Sequence, residues 1–263
     1  MVGEGQRLDP GATGGGDERA GAQEPVRGNA VGVEVQQHAG SLLRILGPGG
    51  PRREGAGVEC AREGRGRDPR AVLSGLAQAS YAVACEQSGV AAIVDPRRDV
   101  EDYVEWAAAR GLTIRHVVLT HLHADFLAGH IELRERVGAT IHVGARAEVD
   151  YPAARLADGD VLELGPSASL RALEKPGHTP ESICLVAEEP ARGAPRAVLT
   201  GDTLFVGDVG RPDLMASVGV TAHELATQLY DSTRRLLELP DETVVYPGHG
   251  AGSMCGKNLG SET

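Results

Sequence analysis

What the chain lacks narrows its class first. Its four cysteines (Cys60, Cys85, Cys184 and Cys255) are scattered over 263 residues with no CxxC pair. That excludes a disulfide framework as the organising device, and they read as reduced thiols. No apolar run approaches the roughly 20 residues that a membrane-spanning helix needs. The opening stretch MVGEGQRLDPGATGGGDERA lacks the basic start and apolar segment of a secretory signal. Basic residues are in deficit, 26 Lys and Arg against 37 Asp and Glu, giving a net charge of −11. That balance argues against a general partner of nucleic acid or of membrane surfaces, while leaving room for a local basic pocket for a small anion. The expected location is the cytoplasm.

What is present divides in two. Residues 1–70 contain 17 glycines mixed with Arg, Glu, Asp and Pro, and only VGVEV and SLLRIL offer apolar runs. Such a segment buries too little to offset its ordering entropy, so it reads as a disordered extension. Residues 71–263 have the texture of a folded domain. AAIVDP (91–96), HVVLTH (116–121), TIHV (140–143), VLELG, LRALEKPGH, ICLVAE, AVLTGD and TVVYPGHG (243–250) read as strands, several of them continuously apolar. DVEDYVEWAAARG predicts a helix capped by Asp99, with Val100, Val104 and Ala107 or Ala108 on one face and Gly111 as its stop. AGHIELRERVG predicts a short helix closed by Gly138. The segment 221–240 predicts the longest one, with Leu225, Leu229, Leu236 and Leu237 near one stripe. The pattern implies layered α/β structure with mixed sheets.

Polar residues recur where these strands end. His121, His123 and Asp125 follow HVVLT, His178 follows LRALEKPG, Asp202 follows AVLTG and His249 follows TVVYPG. Strand ends joined by glycine-bearing loops can aim side chains from distant segments into one cleft. Taken singly, His178 in Gly-His-Thr-Pro or Asp202 in Thr-Gly-Asp-Thr would serve as turn residues, and His116, His142 and His223 read as structural or exposed. Four junctions together point to a metal cleft. Imidazole and carboxylate suit zinc or iron, whereas calcium would want mostly oxygen.

The motifs THLHAD, PGHTP, TGDTLF and YPGHG, in that order, resemble the metallo-β-lactamase superfamily over about residues 71–263. The resemblance implies an αββα sandwich, two mixed sheets flanked by helices, with the metal at one edge. More closely, IVDPRRD, THLHADFLAGH, GDTLFVGDVGRPDL and YPGHGAGSMCGK resemble the persulfide dioxygenase (sulfur dioxygenase) branch, including forms fused to rhodanese domains. Carried over, His121, His178 and Asp202 would hold one Fe(II) per chain, with Zn as the alternative, and His123, Asp125 and His249 would be catalytic residues of the cleft. Binuclear relatives such as glyoxalase II resemble H-x-H-x-D-H, whose last histidine binds a second metal; Phe126 stands at that position here, and the spare His130 is not expected to ligate. Two histidines and one carboxylate with open positions form the facial triad of non-haem Fe(II) oxygenases.

The resemblance therefore implies oxidation of glutathione persulfide, or a similar small persulfide, by O2 to sulfite and thiol. Arg211, Tyr246 and Cys255 are the substrate-contact candidates. A functional link to rhodanese-type sulfurtransferases is expected, although no rhodanese-like half follows the domain. The chain stops at GKNLGSET, where relatives usually continue, so a truncated C-terminus lacking a final helix or domain is the expectation, and association into a homo-oligomer would be one way to cover the face it leaves. The competing readings are a zinc thioester hydrolase resembling glyoxalase II (hydroxyacylglutathione hydrolase), which Phe126 argues against, and a sulfur-binding relative without turnover.

Overall fold

The computed structural model describes residues 78–214 and 219–250, and the backbone of three strands at 32–34, 43–49 and 72–73. Two sheets form the centre. The first runs in the order β1 (Gly32–Glu34), β2 (Leu43–Gly49), β5 (Tyr81–Cys85), β6 (Val90–Val94), β7 (Thr113–Val118), β8 (Thr140–Gly144) and β9 (Ala154–Leu156). The second runs β10 (Val161–Gly165), β11 (Ala168–Glu174), β12 (Ile183–Glu188), β13 (Pro195–Gly201) and β14 (Val244–Pro247). A two-stranded ribbon joins β3 (Val72–Leu73) to β4 (Gln78–Ala79). Strands β6 to β9 are parallel to one another, and β14 is parallel to β13. The sheets are mixed, as expected.

Strand alternation sorts side chains into three packed layers. On β5, Tyr81, Val83 and Cys85 face the core between the sheets, while Ala82 and Ala84 face the opposite side. On β12, Ile183, Leu185 and Ala187 face inward, and Cys184 and Val186 face outward. This period-two pattern is what a strand buried on both faces requires. Helices α1 (Glu101–Ala108) and α2 (His130–Val137) cover the first sheet, and Leu236 of α3 (Ala222–Leu236) packs on the outer face of the second. The result is the four-layer αββα sandwich.

Details differ from the sequence expectations. Helix α1 is capped by Val100 with no side-chain hydrogen bond, and Asp99 is exposed, because Val100, Tyr103, Trp106 and Ala107 form the face turned to the sheet. Val104, expected on that face, is half-buried. Strand β7 begins three residues before His116, and β9 was not anticipated. Helix α2 ends at Gly138 as expected. Helix α3 starts in a full capping box, Thr221 and Glu224 each satisfying the other's backbone N–H. It buries Leu225, Leu229 and Leu236, each contributing about 1.5–3 kcal/mol, whereas Leu237 lies beyond its last turn and is exposed. Strands β1 and β2 fall inside the segment whose composition implies disorder; β2 pairs with β5 through residues 43–46, within the SLLRIL run. The remainder of residues 1–70 lies outside the described residues.

Candidate metal centre

The topology brings one end of both sheets together. The C-terminal ends of β6 and β7 share an edge because those strands are parallel. In the second sheet β11 and β13 are each antiparallel to β12, and β14 is parallel to β13, so their C-terminal ends also share an edge. Backbone bonds fasten the two edges: Ile183 N–H donates to Thr120 O at 2.8 Å and Ala79 N–H to Gly248 O at 2.8 Å. The segments leaving these ends carry Asp95, His121, His178, Asp202 and His249.

His121, His178 and Asp202 converge, with one ligand atom from each lying within 4.8 Å of the others, and all three are buried. Their neighbours fix the imidazole protons. Thr120 Oγ1 donates to Asp95 Oδ2 at 2.7 Å, so its lone pair accepts the proton of His121 Nδ1 at 3.0 Å. His178 Nδ1 donates to the Arg211 carbonyl at 3.1 Å. In both rings Nε2 is left with a lone pair, as metal ligation requires. His123 Nε2 donates to Asp95 Oδ1 at 2.9 Å, leaving its buried Nδ1 without a hydrogen-bond partner among the described residues, with its ring 4.1 Å from that of His121. Asp95 therefore orients two histidines, one directly and one through Thr120. It does so from a left-handed backbone conformation, φ 49°, which is uncommon outside glycine.

The electrostatics suit a cation. Burial, and then the neighbouring His123, hold His121 well below the usual histidine range, so it is neutral at pH 7. For Asp202 burial pushes upward, but His121, His249 and His178 outweigh it and leave the carboxyl below the ordinary range. Among the described residues neither Asp202 oxygen has a hydrogen bond of good geometry, although His178 Nε2 and His249 Nε2 stand 3.5 and 3.4 Å from Oδ2. A buried carboxylate left so, facing imidazole lone pairs, fits a divalent metal ion. Two glycines make room. A Cβ on Gly210 would fall 1.8 Å from the Asp202 carbonyl oxygen, and one on Gly248 2.5 Å from Asp202 Oδ1.

Of the other residues singled out in the sequence, Asp125 and His249 adjoin the cluster: Asp125 Oδ2 is 3.3 Å from His249 Nε2. Phe126 packs its ring 4.4 Å from that of His123, and Phe205 sits 6.0 Å from His249. The guanidinium of Arg211 pairs with Asp213 at 2.7 and 3.0 Å, and its carbonyl reaches the centre. Tyr246 lies in the core between the sheets, edge-on to Tyr81. His130 stacks on Tyr151. Cys255 lies outside the described residues. Asp95, Thr120 and Glu181 were not foreseen as supports. Asp95 had a signal, since it too is a polar residue where an apolar strand ends.

Comparison with known proteins agrees with this geometry. The family model described as the metallo-beta-lactamase superfamily matches residues 73–249. Hydroxyacylglutathione hydrolase from Polaromonas sp. is 33% identical over 174 residues, 65% of this chain and 61% of that protein. The chain spans about three fifths of the length of such curated relatives. A metallo-beta-lactamase from Staphylococcus aureus superposes with a TM-score of 0.65 at 37% identity, covering 71% of this chain and 55% of that one. ETHE1 from Myxococcus xanthus gives 0.58 at 33% identity, covering 70% and 76%. No helix among the described residues is long and apolar enough to cross a membrane. Fold, site and the span of the family match agree, and the chain belongs to the metallo-β-lactamase superfamily.

Proposed function

We propose that the chain is a single-metal oxidoreductase of small persulfides, with Fe(II) held by His121, His178 and Asp202. The observation that carries this reading is the make-up of the site: two imidazoles and one carboxylate converge, and Phe126, a side chain with no lone pair, follows Asp125 where a second metal would need a nitrogen. The likeness to ETHE1 supports the persulfide branch that the motifs resemble. The reaction balances as R–S–SH + O2 + H2O → R–SH + SO3²⁻ + 2 H⁺. When bound, Fe(II) supplies oxygen activation and a coordination point for sulfur. The protein's own part is to fix the tautomers through Thr120, Asp95 and the Arg211 carbonyl, to exclude water with Phe126 and Phe205, and to take up released protons on the Asp125–His249 pair. Arg211, beside the His178 loop, is assigned the anionic portion of the substrate. Cys255, a few residues beyond His249, is assigned sulfane-sulfur contact, and a rhodanese-type sulfurtransferase is the matching source of that sulfur.

The second reading is a zinc thioester hydrolase. The names of the curated relatives, hydroxyacylglutathione hydrolases, support it more directly than they support the first. His249 also stands between Asp125 and Asp202, 3.3 and 3.4 Å from their Oδ2 atoms, as part of a second metal site would. Assaying the purified chain with glutathione persulfide in an oxygen electrode, and with a glutathione thioester in parallel, separates the two. Oxygen consumption with sulfite release, and no thioester cleavage, is expected. Thioester cleavage without oxygen uptake would establish the hydrolase.

A further inference from the structure

We infer that Glu181 is a positioning residue that sets the spacing between the two histidine-bearing loops; this rests on reading His121, His178 and Asp202 as a metal centre. The loop from Lys175 to Ser182 carries His178 and has no helix or strand of its own. It is closed on itself: Lys175 N–H donates to Ser182 O at 2.8 Å, Gly177 N–H to Thr179 O at 3.1 Å, and the Thr179 and Ser182 hydroxyls meet at 2.7 Å. Those bonds shape the loop but say nothing of where it stands relative to His121. Two bonds do that, and they straddle His121 in sequence. Thr120 O accepts from Ile183 N–H at 2.8 Å, and Leu122 N–H donates to Glu181 Oε1 at 3.0 Å. The first continues the backbone pairing of β12. The second depends on one side chain, and Glu181 is buried, with only 8% of its surface exposed. Removing the acceptor of a part-buried bond leaves its donor unsatisfied, and partners behind metal ligands tune affinity by about ten- to a hundredfold.

The spacing role needs the length of the Glu181 arm and its acceptor oxygen, not its charge. Cobalt(II) binding, followed by chelator competition and by the visible spectrum, reads both affinity and ligand geometry without any turnover. Glu181→Ala is expected to weaken cobalt binding about ten- to a hundredfold and to alter the spectrum. Glu181→Gln, which keeps an acceptor at the same reach, should recover most of the affinity and the wild-type spectrum. Glu181→Asp, which keeps the charge one methylene too short, should resemble Glu181→Ala. Melting of the metal-free variants controls for folding. The proposal is overturned if Glu181→Ala binds cobalt like the wild type, or if Glu181→Asp matches the wild type while Glu181→Gln is impaired, the pattern of a purely electrostatic role. A wild-type chain that takes up no cobalt overturns the metal reading itself, and is told apart by that control.

Discussion

Phe126 and Asp95 show how single side chains decide what this site can be. Phe126→His would place an imidazole next to Asp125 in sequence and against the His123 ring, and metal analysis of that variant should rise from one towards two equivalents per chain; an unchanged value would mean that the aromatic ring is not what limits the site. Asp95→Asn should lower metal retention about ten- to a hundredfold, because an amide has a single acceptor oxygen and cannot accept from both the Thr120 hydroxyl and His123 as the two carboxylate oxygens do, and chelator competition would measure the loss. The His116–His142 pair, 3.1 Å apart, makes a separate prediction. Burial, and then His116, push His142 down to about 4, whereas an unfolded histidine takes its proton near pH 6.5. Between those values the unfolded chain binds more protons, so metal-free stability should fall as pH drops below about 6.5, and this contribution should level off near 4. Urea unfolding at pH 7 and pH 5 should show a smaller difference in His142→Gln than in the wild type. The three converging residues, His121, His178 and Asp202, were legible in the sequence because each follows a strand end. Glu181 was not, since its bond to Leu122 depends on how two loops meet, and no local pattern encodes that. Asp99 misled for the converse reason: a good capping residue lost to the need to turn Val100 and Tyr103 towards the sheet.

Elements carry the next level of constraint. The C-terminal ends of β6, β7, β11, β13 and β14 supply the site, and the parallel pairing of β13 with β14 is what brings His249 beside Asp202. The apolar runs predicted most of these strands, but their order across the sheets came only from the structure, because pairing is set by long-range packing rather than by local propensity. Helix α3 buttresses this arrangement from outside: Ser232 Oγ donates to Pro176 O at 2.7 Å, in the His178 loop. Thr221→Ala removes one half of the capping box and should cost about 1 kcal/mol, seen as a lower melting temperature with metal stoichiometry unchanged. Gly210→Ala should behave oppositely. Its methyl would collide with the Asp202 backbone, so metal affinity should drop sharply, and a variant that still binds metal normally would show that the loop yields there freely.

At the scale of the whole molecule, two sheets and their helices hold a buried set of two imidazoles and one carboxylate at a shared edge, and on the proposed function this set takes one metal. The superfamily includes relatives whose names point to hydrolysis, so the count of metal ions divides the readings more directly than fold or sequence identity can. Metal content per chain, measured on protein purified from cells supplied with both iron and zinc, is the decisive quantity. One equivalent, predominantly iron, is expected, lost together with oxygen consumption in Asp202→Ala. Two equivalents of zinc in the wild-type chain would overturn the single-iron reading.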